Sequence, residues 1–93
     1  MLTSAESALK NTKLLVVDDS QSNRRLLQAI FGSEGCDVAL AESGDEALPA
    51  LKAHAPDIVL LDLRMPGFDG IQTLQRLRPA APNIPIPDAH LIR

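Results

Sequence analysis

The chain predicts an α/β fold: a parallel sheet with helices packed on both of its faces. Three observations carry that prediction. The apolar runs "LLVV" at 14–17 and "IVLL" at 58–61 are too short for helices and read as strands buried on both sides. Segments with apolar residues at helical spacing lie between and after them. The resulting order of strand, helix, strand, helix, strand, helix implies right-handed crossovers and a parallel sheet.

Each element has a local reason. Leu14 to Val17 forms the first strand. Ser20 to about Ser33 follows as a helix, capped by Ser20 or Ser22, with Leu26, Leu27, Ile30 and Phe31 on one stripe. Gly32 and Gly35 close it, and Cys36 to Ala41 alternates weakly as the second strand. "SGDE" at 43–46 is a capping-box pattern: Ser43 caps and Glu46 reaches back. The helix behind it carries Ala47, Leu48, Ala50 and Leu51, with Pro49 at a position where a kink is expected. Pro56 ends that connection and Ile58 to Leu61 is the third strand. Asp69 can cap a third helix from Ile71 to about Leu77. Pro79, Pro82, Pro85 and Pro87 then predict extended chain, with only a weak strand near Ile84–Ile86.

Length and composition narrow the function classes. A chain of 93 residues allows one domain. A domain of that size buries only about 60% of its unfolded surface, so its stability margin is thin. With two Phe and no Trp or Tyr, aliphatic side chains must supply the core. A net charge of -3, with Arg24-Arg25 as the densest basic spot, argues against nucleic acid as a partner. Cys36 is the sole cysteine, which excludes an internal disulfide and fits a reducing compartment. No apolar run approaches the ~20 residues of a membrane span, and residues 1–12 lack the apolar core of a signal peptide. The expectation is a cytoplasmic protein with no membrane association. Its expected domains are a disordered leader at 1–12, a folded body at 13–86 and an irregular tail at 87–93.

Three acids stand out against this frame. Asp18 and Asp19 end the first strand, and Asp62 ends the third. Functional groups in such sheets gather beyond the carboxyl ends of the strands, so adjacent strands would put the three acids on one rim. Taken singly, each has a plainer role. Asp19 is equally a helix cap, Asp62 equally a turn former, and Asp69, before a glycine and a helix, is better read as a cap. Taken together, clustered carboxylates repel, and a hard divalent cation relieves them. Mg²⁺ suits a site with few carboxylates, several waters and a phosphate oxygen. A carboxylate beside such an ion is a known nucleophile for phosphoryl groups, which points to Asp62 as acceptor and Asp18 and Asp19 as metal holders.

The segments "LLVVDDSQSNRRLL" and "PDIVLLDLRMPGFDGIQTLQRLR" resemble the receiver domain of two-component response regulators, over about residues 13–86. The resemblance implies a flavodoxin-like sheet of order 2-1-3-4-5, here reduced to 2-1-3(-4) without the fifth strand and last helices. It implies a phosphoryl group accepted on Asp62 from a histidine kinase or phosphotransfer protein. It implies Mg²⁺ held by Asp19, Asp62 and the backbone carbonyl of Arg64, with Asp18 acting mainly through water. Met65, Pro66 and Gly67 match the family's loop-shaping turn, and Asp69 and Gly70 the start of the third helix.

The pattern departs from the family in its last residues. The family carries a switch Ser or Thr at the end of the fourth strand, where this chain reads "IPIPDAHLIR" and offers Ala89 and His90. His90 stands alone on a proline-broken tail and makes a poor ligand or phosphohistidine. No lysine matches the family's lysine after the fifth strand; Lys10, Lys13 and Lys52 lie elsewhere. Phosphoryl acceptance with impaired switching is therefore expected, with no turnover beyond self-catalysed acceptance and hydrolysis. The alternative is an interaction module without phosphotransfer. An incompletely covered sheet also predicts a homodimer. A phosphatase of the Asp-x-Asp type is excluded because Asp18 and Asp19 are adjacent, and a glycine-rich phosphate loop because "DDSQSN" has no glycine.

Overall fold

The structure, a computed structural model, describes residues 9–65 and 70–89. Its elements alternate as β1 (Lys13–Val17), α1 (Gln21–Ser33), β2 (Asp37–Ala41), α2 (Gly44–His54), β3 (Ile58–Leu61) and α3 (Gly70–Ala80). The three strands form a parallel sheet of order β2-β1-β3. β1 is central, which is why all four residues of "LLVV" are buried. Alternate side chains serve opposite faces. Leu15, Val17, Val59 and Leu61 pack with Ala47 and Leu51 of α2 and Leu77 of α3. Leu14, Val16 and Leu60 pack with Leu27 of α1 on the other side.

The caps follow the sequence closely. Ser20, not Ser22, caps α1, its Oγ accepting from the Asn23 N–H at 3.3 Å. Ser43 Oγ accepts from the Glu46 N–H at 3.2 Å. Glu46 reaches back to the N–H of Glu42, one residue before the cap, also at 3.2 Å. α2 runs on through Pro49, whose exposure leaves the buried contacts of Ala47 and Leu51 in place.

Two expectations need correction at the carboxyl end. The third helix does not stop at Leu77 but continues through Pro79 to Ala80. Burial of Leu77 and Ala81 draws the chain onward, and the Ala81 N–H closes the last turn on the Leu77 carbonyl at 3.0 Å. The Arg78 guanidinium then holds the carbonyls of Pro82 and Ile84, at 3.4 and 2.8 Å. The extended segment beyond is not a regular strand, yet it is seated on the edge of β3. Val59 and Leu61 donate to the carbonyls of Pro85 and Pro87, at 3.0 and 3.2 Å, and Leu61 pairs with Asp88 in a single parallel bridge. Both accepting residues are prolines, so neither can itself donate an N–H to the strand.

Residues 9–12, which the sequence assigned to the leader, are tied to the body. The Asn11 N–H donates to the Gly35 carbonyl at 2.9 Å, and Cys36 Sγ lies 3.5 Å from the Leu9 carbonyl. Residues 1–8 and His90 to Arg93 lie outside the described residues.

Candidate functional site

The sheet order places the carboxyl ends of β1 and β3 side by side, at the point where the chain's winding reverses. The ladder extends one step beyond the strands. Asp18 donates its N–H to the Ala41 carbonyl at 3.1 Å, and Asp62 donates its own to the Val17 carbonyl at 2.9 Å. These bonds hold both acids at the rim with their backbones fixed. Asp18 is fully buried, Asp62 is 4% exposed and Asp19 is open to solvent. Carboxylate oxygens of Asp18, Asp19 and Asp62 all come within 4.8 Å of one another.

Backbone N–H groups aim two of these carboxylates. Asp18 Oδ1 accepts from the Ser20 N–H at 2.9 Å, which opens the turn into α1. Asp62 Oδ1 accepts from the Arg64 N–H at 2.9 Å, which curls the following loop around it. Both are aspartate turns; at Asp62 this is the plain alternative to a functional role that the sequence offers, whereas the sequence places the capping alternative on Asp19 and the turn forms at Asp18. Here both serve at once: the turn orients the side chain, and the sheet gathers the three.

The described residues assign the remaining candidates unequally. Arg64 lies exposed in the turn after Asp62. Met65 is buried and fills the core under α2 and α3. Pro66, Gly67 and Asp69 fall outside the described residues, as does His90. Ala89 is buried against the α1 face of the sheet.

Three neighbours of the site carried little signal in the sequence. Gly70 starts α3 against the backbone of Asp62 and Leu63: a Cβ there would stand 2.6 Å from the Asp62 carbonyl oxygen and closer still to Leu63 Cα. Asp88 brings a fourth carboxylate to the edge of the rim, its Oδ1 3.4 Å from the Leu63 N–H. Arg24 sends its guanidinium to the Asp18 carbonyl at 2.8 Å. Arg24 was legible only as half of a basic pair; its place four residues after the Ser20 cap is the signal that it can reach back over the helix start.

A parallel three-layer fold with a carboxylate cluster at the switch point defines a doubly wound α/β domain with an acidic rim that could hold a cation. The family model for the response regulator receiver domain matches residues 14–87, and the chain belongs to that family. It is 41% identical over 76 residues to sporulation initiation phosphotransferase F of Bacillus subtilis, covering 82% of this chain and 61% of that protein. It is 43% identical over 76 residues to the transcriptional regulatory protein ZraR of Escherichia coli, covering 82% of this chain but 17% of that protein. The chain thus spans less than two thirds of the relatives it matches. Among solved structures it resembles the N-terminal domain of a response regulator receiver protein from Methanoculleus marisnigri, with TM-score 0.75 and 41% identity over 80% of this chain and 62% of that one. It also resembles TrrA from Thermotoga maritima, solved in complex with Mg²⁺ and BeF, with TM-score 0.73 and 35% identity over 81% and 65% of the two chains.

The donor set fits a magnesium ion. It is all oxygen and all carboxylate on the protein side, close enough to share one cation, and open at Asp19 to the waters that Mg²⁺ retains.

Proposed function

We propose that this receiver domain accepts a phosphoryl group on Asp62, with Mg²⁺ held by Asp19 and Asp62, Asp18 acting through water and Arg64 contributing its backbone carbonyl. The donor is a histidine kinase, a phosphotransfer protein or a small phosphodonor. The convergence of three carboxylates within 4.8 Å carries this reading. The name of the Bacillus relative and the Mg²⁺ complex of TrrA support it.

The chemistry asks little of the protein beyond placement. A carboxylate oxygen of Asp62 forms a bond to phosphorus while the donor's N–P or O–P bond breaks, and the bonding pair leaves with the donor. Asp62 reacts as the anion, so no base need remove a proton from it. Bound Mg²⁺ would neutralise charge on the transferring group. The Val17 contact fixes the backbone of Asp62 and the Arg64 N–H orients its carboxylate. Beyond the phosphodonor the domain consumes nothing, and its only further turnover would be hydrolytic loss of its own phosphoryl group.

The reading extends to a cytoplasmic setting, without nucleic acid as a direct partner and with weakened switching. The residues that run beside the end of β3, Asp88 and Ala89, bring no hydroxyl to the rim. It also extends to self-association. Leu26 and Ile30 of α1 are 50% and 45% exposed, and an apolar hollow of about 200 Å³ opens beside Phe31, Leu14 and Leu60. That apolar surface is the observation favouring the second reading, a receiver-derived interaction module.

The test is intact-protein mass after incubation with Mg²⁺ and a small phosphodonor. The parent should gain one phosphoryl group and Asp62→Asn none. A folded parent that gains nothing leaves the interaction module.

A further inference from the structure

We propose that Arg24 is a positioning residue for the three-carboxylate site, acting through the backbone of Asp18. Its Nη1 donates to the Asp18 carbonyl at 2.8 Å, a short charge-assisted hydrogen bond to a partly buried peptide. That carbonyl belongs to the peptide joining Asp18 to Asp19. Fixing it fixes the plane from which both carboxylates depart. The same turn is pinned on its far side by the Ser20 N–H on Asp18 Oδ1, at 2.9 Å. Between them, the two bonds leave the Asp18–Ser20 turn little freedom to rotate.

Arg24 is held in this role from three directions. Its backbone N–H donates to the Ser20 carbonyl at 3.0 Å, in the first turn of α1. Its side chain is only 12% exposed, which limits the guanidinium to few orientations. Its Nη2 lies 3.6 Å from Glu42 Oε2, just beyond β2. Glu42 is 61% exposed, so that ion pair orients the guanidinium and adds little binding of its own. Glu42 in turn donates its N–H to Glu46 of α2. Arg24 thereby joins the acid-bearing turn to β2 and the start of α2 with one planar group. A lysine, with a single point charge, cannot make both contacts in the same geometry.

The proposal rests on the phosphoacceptor reading for its consequence, but its direct readout is Mg²⁺ affinity in the unphosphorylated chain. Mg²⁺ is titrated calorimetrically into the parent, Arg24→Met, Arg24→Lys, Glu42→Gln and Arg25→Ala, with melting in Mg²⁺-free buffer as a check on folding. Arg24→Met keeps the aliphatic stem and removes the donors. It should weaken Mg²⁺ about tenfold, the scale on which outer partners of metal ligands act. Arg24→Lys should fall between Arg24→Met and the parent. Glu42→Gln and the exposed neighbour Arg25→Ala should stay within about twofold of the parent. Phosphorylation of Arg24→Met should need more Mg²⁺ yet approach the parental rate once the ion is saturating.

Parental affinity in folded Arg24→Met overturns the proposal. So does an equal loss in Arg25→Ala, which would assign the effect to net charge, and so does a parent that binds no Mg²⁺. If Arg24→Met does not fold, Arg24→Lys decides: weakened affinity with unchanged melting supports the proposal, and parental affinity overturns it. A parent that binds Mg²⁺ but gains no phosphate removes the phosphoacceptor reading and leaves the titration standing.

Discussion

Gly70 shows how closely α3 is fitted to the end of β3. Any side chain there meets the Asp62 and Leu63 backbone rather than the flexible end of a neighbour, so the backbone must give way. Gly70→Ala should cost about 1–3 kcal/mol, as overpacking does, and lower the melting temperature by several degrees. Because the displaced atoms include the Asp62 carbonyl, phosphate uptake should fall as well, which a thermal melt paired with the mass assay would check. Cys36 behaves differently. Burial, with the Glu34 carboxylate adding to it, pushes its thiol up from the usual range. At pH 8 less of it is thiolate than in a free cysteine, so it should react more slowly with a thiol reagent, and the gap should close as pH rises. The sign for stability follows: the folded chain holds this proton more tightly, and the small gain is lost as pH climbs through the folded pKa.

At the scale of elements, caps and prolines pull in opposite directions. Ser20 and Ser43 were readable as helix starts because a side-chain oxygen three residues before an unsatisfied N–H has one obvious use. Pro49 was readable as a fault, and α2 tolerates it because the helix is retained by burial of Ala47 and Leu51 rather than by its own hydrogen bonds. The fault should still have a cost. Pro49→Ala should stabilise the chain by about 1–2 kcal/mol, since an interior proline costs about 3 kcal/mol and part of that is offset by stiffening the unfolded chain. Urea denaturation checks this, with an unchanged slope showing that the folded and unfolded states keep their relative exposure. Pro79 was misread for a related reason. A proline in the last turn forgoes one N–H bond back along the helix, and burial of Leu77 and Ala81 carries the chain past that loss.

For the whole molecule, the two faces of the sheet are unequally covered. α2 and α3 pack over one face, whereas among the described residues α1 is the one full helix over the other. The apolar hollow lies on that thinner side. Leu26 and Ile30 stand exposed on α1, so a second copy meeting this helix would bury surface that now faces water. Sedimentation should show apparent mass rising with concentration, and Leu26→Glu combined with Ile30→Glu should hold the chain monomeric without lowering its melting temperature. A concentration-independent monomer mass in the parent would remove self-association from the reading.

The sequence by itself determined the order of elements, the parallel sheet, the Ser43 cap and the three acids of the rim, and left the α1 cap between Ser20 and Ser22. Each of these rests on local chemistry: a four-residue apolar run, a serine before a helix, an acid after a strand. That those acids meet was implied by the family resemblance and its strand order but by no segment's own chemistry, because adjacency of β1 and β3 is a property of the sheet. Tertiary structure alone decided the roles of Gly70, Arg24 and Asp88. A glycine's need for emptiness, a guanidinium's reach to a distant carbonyl and a proline-flanked chain leaning on a strand edge depend on what lies opposite, and that partner is 7, 6 or 25 residues away in the chain. Local patterns record what a residue does to its own backbone; only the packed fold supplies the other half of a contact.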